Sequence, residues 1–193
     1  MKANLAIFAS GRGSNAQEII KFFKENDSVD IKLIVSNKSS AGVLDLAEEH
    51  GIDTLILKRE TFYKSLDLIQ DLKENSITHI VLAGFLWMIP PYLIENFQDK
   101  IVNIHPALLP KYGGKGMYGH HVHQAVFDNK EKESGMTIHY VNANYDEGQI
   151  IFQATTKLDP TDQAEDIAAK VLVLEHKYYP EQIEIFVNKH FDQ

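Results

Sequence analysis

The chain has 193 residues, a formal net charge of −8, 44% apolar and 24% charged residues, and no cysteine. This length suits a single domain over 1–193 with a sizeable core, and the missing cysteine excludes disulfides and thiolate-held metals. The acidic balance argues against a nucleic-acid grip built on phosphate neutralisation, and no stretch is apolar enough for a membrane span or a signal peptide, so a cytoplasmic protein handling small molecules is expected.

Runs rich in Val and Ile alternate with stretches of helical period. Leu5 to Ala9 reads as a buried strand, and Ala16, Ile19, Ile20 and Phe23 then fall on one helix face. Ile31 to Val35 is a second strand, and Val43 to Ala47 a short helix stopped by Gly51. Thr54 to Leu57 is a third strand, and Leu66 to Leu72 suits a helix. His79 to Ala83 and Ile101 to Ile104 are further strands. This alternation predicts an α/β fold: a Rossmann-like, mostly parallel twisted sheet with helices on both faces. Met136 to Val141 and Ile150 to Thr156 follow one another with only a short loop between, which predicts an antiparallel edge in the C-terminal part. Asp162 to Tyr179 reads as the last long helix, with Asp162 and Glu165 as a capping pair and Pro180 bending or interrupting it. Lys111 to Gly119, with four glycines, reads as a mobile loop or lid.

Three places carry chemistry. The first strand ends in Ser10-Gly11-Arg12-Gly13-Ser14-Asn15, a glycine-rich turn opening a helix. Free N–H groups and the positive end of the helix dipole there suit a single phosphate, and the pattern is neither the dinucleotide fingerprint nor a P-loop. The alternative is a plain turn with Ser14 as N-cap and Gln17 completing a capping box. Further on, Asn103 and His105 are two apart on a strand, hence on one face, and Pro106 keeps His105 extended. An amide N–H suits a developing oxyanion and an imidazole suits proton transfer, a pairing fit for acyl transfer. Asp146 lies in a loop between two strands; a carboxylate near His105 would raise the imidazole pKa and accept a proton. For the remaining histidines, His120, His121 and His123 form a cluster whose first two members point apart, so no metal is expected. His139 reads as a satisfied buried histidine within reach of His105.

Gly11-Arg12-Gly13-Ser14-Asn15, Leu82-Ala83-Gly84-Phe85, the block Asn103-Ile104-His105-Pro106-Ala107-Leu108-Leu109-Pro110, the Asp146 loop and Leu174-Glu175-His176 occur in that order. On these pieces the chain resembles the folate-dependent formyltransferases, and within them the branch acting on glycinamide ribonucleotide. The resemblance implies 10-formyltetrahydrofolate as donor and the glycinamide amine of a phosphoribosyl compound as acceptor, with no metal. It implies that Asn103, His105 and Asp146 are catalytic: the first two would stabilise the oxyanion while Asp146 positions a water and tunes His105. Gly13, Ser14, Asn15 and Glu175 would hold the acceptor. Arg59, Leu86, Trp87, Met88, Ile89, Asn103 and the backbone of Asn142, Ala143 and Asn144 would border the folate. The chain departs from the family pattern in a longer lid, Gly113 to Gly119, and at Trp87, where arginine is frequent. A monomer or homodimer is expected. A transfer-RNA-directed relative would be longer and more basic, and a formyl folate hydrolase would carry a further N-terminal domain. The Gly11 to Asn15 loop argues against a sugar-amine formyltransferase, and the intact trio against a binding module without turnover.

Overall fold

The computed structural model describes residues 2–26 and 28–190. Seven strands form one sheet: β1 (Ala3–Phe8), β2 (Val29–Ser36), β3 (Asp53–Ile56), β4 (His79–Leu82), β5 (Ile101–His105), β6 (Glu133–Tyr140) and β7 (Ile150–Lys157). The helices are α1 (Ser14–Phe23), α2 (Gly42–His50), α3 (Arg59–Lys64), α4 (Asp67–Glu74), α5 (Pro91–Asn96), α6 (His120–Asp128) and α7 (Ala164–Asn188). Strand order is β3-β2-β1-β4-β5-β6-β7. The pairs among β1 to β5 are parallel, and β6 and β7 add on antiparallel.

All seven predicted strands are present. β1 and β4 lie mid-sheet, and Leu5, Ile7, Ile80 and Val81 have no exposed surface. Both faces of a parallel sheet are covered, so such strands are apolar throughout rather than alternating. One face packs Ile7, Ile34 and Val81 against Ile19 and Phe23 of α1 and Val171, Tyr179 and Ile183 of α7. The other packs Phe8, Val35 and Leu82 against Phe62 of α3, Leu72 of α4 and Leu93 of α5.

Some local readings are corrected. The cap of α1 is Gly13, in the left-handed region with φ 84° and without a side-chain hydrogen bond, so Ser14 is not a cap and no capping box forms. A side chain at Gly13 would also press on Val43, 2.7 Å from an added Cβ. At α7 the reciprocal capping pair is Gln163 and Asp166, one residue after the expected pair. Asp162 is engaged instead by Lys170, at 2.6 Å. The helix runs through Pro180 to Asn188. A proline there removes one hydrogen bond, but Ile183, Phe186 and Val187 beyond it are buried, and their packing carries the helix on.

Candidate active site

Chain connection reverses direction at β1, which pairs with β2 on one side and β4 on the other. In open α/β sheets ligands bind outside the carboxyl ends of the strands at such a point. Here the loops are tied together: Ser10 N–H donates to the Gly84 carbonyl at 3.1 Å, and Leu86 N–H to Ser10 Oγ at 2.9 Å. A cavity of about 820 Å³ opens at this end of the sheet, within the usual range for small-molecule sites.

Its floor is built by β5 and β6. Asn103 lies opposite His139, and His105 opposite Thr137. His139 Nδ1 is 2.8 Å from the Tyr140 carbonyl, which only accepts, so Nδ1 carries the proton. His139 Nε2 then accepts from Asn103 Nδ2 at 3.1 Å. One amide N–H of Asn103 is left for a ligand. His105 Nε2 lies 2.7 Å from the Tyr112 carbonyl, so Nε2 is the protonated nitrogen there, and Nδ1 faces Asp146 Oδ2 at 3.6 Å. That separation exceeds hydrogen-bond length and couples the pair through charge.

The β6–β7 hairpin brings Asp146 over the end of β5. Asp146 has φ 57°, and Gly148 passes so close to the Tyr140 carbonyl that no side chain fits. Asp146 Oδ1 lies 3.7 Å from His139 Nε2, and Oδ2 accepts from Gly114 N–H at 2.9 Å. Burial pushes the Asp146 carboxyl up, but His139 and His105 in their protonated forms, together with the Gly114 amide, hold it below its ordinary value. For His105, burial outweighs the raising effect of Asp146 and the Tyr112 carbonyl, so its pKa is lowered. Asp146 acts upward on this imidazole as expected of a nearby carboxylate, but burial sets the net direction: His105 is neutral near pH 7, with a lone pair on Nδ1.

Toward α7 the cavity is lined by Asn15 and Glu175, with Asn15 Nδ2 donating to Glu175 Oε2 at 2.7 Å. Asn15 Oδ1 is buried without a partner. Burial raises the Glu175 carboxyl, the Asn15 contact opposing it in part. Gly13 and Ser14 do not line the cavity; the first-turn N–H groups of α1 have no intrahelical partner. Toward α5, Leu86, Trp87, Met88 and Ile89 line the wall. Trp87 is half-buried and packs on Phe62 at 5.4 Å between ring centroids, so it is core and wall at once. The Arg59 guanidinium sits 5.7 Å from the centroids of both Trp87 and Tyr63, outside the lining. Asn142 and Asn144 line the cavity and Ala143 does not. Gly114 to Gly119, within the stretch read from sequence as a lid, line one side of the cavity.

His120 and His121 are exposed and His123 is buried; among the described residues no three of His, Asp or Glu gather as a metal would need. Sequence reasoning undervalued His139, which touches both Asn103 and Asp146. The available signal was spacing: Thr137 and His139 repeat the two-residue interval of Asn103 and His105. Thr137 itself anchors the turn after β5, donating to the Ala107 carbonyl at 2.6 Å and accepting from Leu109 N–H at 3.0 Å.

Comparison with known proteins agrees with this architecture. Residues 3–183 match the family model described as formyl transferase. The chain is 39% identical over 188 residues to the chloroplastic phosphoribosylglycinamide formyltransferase of Arabidopsis thaliana, covering 94% of this chain and 64% of that protein. It is 33% identical to the phosphoribosylglycinamide formyltransferase of Escherichia coli K12, covering 96% of this chain and 87% of that one. The crystal structure of phosphoribosylglycinamide formyltransferase from Bacillus halodurans superposes with a TM-score of 0.88 at 33% identity, covering 97% of this chain and 96% of that one. The chain belongs to the formyl transferase family.

Proposed function

We propose that the chain transfers a formyl group from 10-formyltetrahydrofolate to the amine of glycinamide ribonucleotide, giving the N-formyl product and tetrahydrofolate in purine synthesis. The carrying observation is the linked set Asn103, His139, Asp146 and His105 on the cavity floor. In this reading the folate supplies an activated formyl group on a nitrogen that can leave. The remaining Asn103 N–H points the way for the developing oxyanion, a donor type whose removal costs ~10²–10³ in rate. His105 Nδ1, neutral and unprotonated, takes the proton lost by the attacking amine. Asp146 stabilises the imidazolium so formed, and the proton passes on to the leaving folate nitrogen. His105 becomes an oxyanion donor only once Nε2 leaves the Tyr112 carbonyl. The lone pair on Nδ1 therefore supports a base role first.

The half-buried indole of Trp87 and the side chains of Leu86 and Ile89 suit a flat heterocycle. Asn15 and Glu175, with the open first turn of α1, suit the phosphoribosyl end of the acceptor. One sheet carrying both walls supports reading the chain as one catalytic domain. The test is a spectrophotometric assay of folate release with and without glycinamide ribonucleotide. Release that requires the acceptor upholds the reading. Equal release without it identifies a hydrolase, and no release in either case removes the reading.

A further inference from the structure

We infer that His123 is a specificity-determining residue of this site, its imidazole hydrogen-bonding a sugar hydroxyl of the phosphorylated acceptor; this rests on the function proposed above. His123 projects from α6 and lines the cavity together with Asn15, His105 and Glu175. It is 7% exposed, and its Nδ1 is buried with no hydrogen-bond partner. An enclosed polar nitrogen left unpaired costs about 1–3 kcal/mol. A ligand that supplies the partner relieves that cost on binding, which makes the orphan atom a recognition element.

Its chemistry selects the kind of partner. Burial, with the His120 and His105 imidazoles nearby, pushes His123 down to about 4. The ring is therefore neutral at pH 7, with one donor and one acceptor. A hydroxyl, which also donates and accepts, matches it; a phosphate, which at pH 7 is chiefly an acceptor, calls for donors alone. Its location agrees. α7 packs against both α1 and α6, and Glu175 of α7 holds Asn15 of α1 at 2.7 Å. His123 thus faces the space between the candidate phosphate loop and His105. In a ribonucleotide bearing its amine at one end and phosphate at the other, the sugar spans that space.

The test is steady-state kinetics of His123→Ala and His123→Asn with the ribosyl acceptor and its 2′-deoxy and 3′-deoxy analogues. The asparagine amide reaches the place of Nδ1. Loss of one hydrogen bond raises the acceptor KM of His123→Ala about tenfold. The donor KM stays near the wild-type value, and His123→Asn recovers most of the loss. With one deoxy analogue the wild type shows the same rise and His123→Ala adds nothing to it. An equal loss on all three acceptors, or a fall in kcat and melting temperature together in both variants, overturns the inference. So does an unchanged acceptor KM. Wild-type enzyme that turns over no ribosyl acceptor at all removes the functional reading instead, and this inference with it.

Discussion

The substitution Asp146→Asn isolates the charge opposite His105 while keeping the shape. The amide oxygen of the new side chain still accepts from Gly114 N–H, which Asp146 engages at 2.9 Å, so the lid contact survives. What is lost is attraction between a carboxylate and an imidazolium 3.6 Å away. At an effective dielectric constant of ~20 that attraction is about 5 kcal/mol. The Asp146 side chain keeps 12% exposure, and solvent reduces the figure to about 3 kcal/mol. If the imidazolium forms in the transition state, kcat falls about 10²-fold. The pH profile adds a second sign. Asp146 raises the His105 pKa against the burial that lowers it, so removing the charge lowers it further. The acid limb of kcat/KM, below which His105 is protonated and unable to act as base, moves to lower pH while the plateau drops. The assay is acceptor-dependent folate release across pH, with a melting curve as control for folding. A variant within about threefold of wild type, folded and with an unmoved acid limb, refutes the charge argument.

Asn103→Ala removes the one amide N–H left for the oxyanion and lowers kcat ~10²–10³-fold with little change in acceptor KM, as initial rates will show. Glu175 has a raised pKa in the fold, so its ionisation counts against stability once pH exceeds the unfolded value near 4.5. Glu175→Gln therefore raises Tm at pH 8 and leaves it unchanged at pH 4, measured by calorimetry. His79 is held neutral, pushed down to about 3 by burial with His190 and Lys100 nearby. The unfolded chain binds that proton and the folded one does not, so stability present above pH 6.5 is lost as pH falls toward 3. Urea midpoints at pH 7 and pH 5 will show the drop, and His79→Phe will make it shallower.

Much of this was legible in the chain because the physics was local. Strands such as Leu5 to Phe8 and Ile80 to Leu82 announce themselves by unbroken apolar runs, since both sheet faces are covered. Asn103 and His105 share a face by strand period alone. Other features depend on contacts between distant segments. That Asp146 reaches His105 follows from the β6–β7 hairpin and the clearance at Gly148, and that burial outweighs Asp146 in setting the His105 pKa follows from the packed floor. The short helices α3 and α5 have six residues each, too few for periodicity to register. Pro180 marks a break by local rule, yet buried Ile183, Phe186 and Val187 override it. The Gln163 and Asp166 cap differs from the expected pair by one residue because Asp162 is held by Lys170.

In the proposed reaction the cavity moves a formyl group between two substrates. The most direct measurement follows an isotopically labelled formyl carbon from 10-formyltetrahydrofolate by nuclear magnetic resonance, with glycinamide ribonucleotide present. The label is expected to leave the folate and to appear on the glycinamide nitrogen in equal amount. Label released as free formate, or retained on the folate, contradicts it.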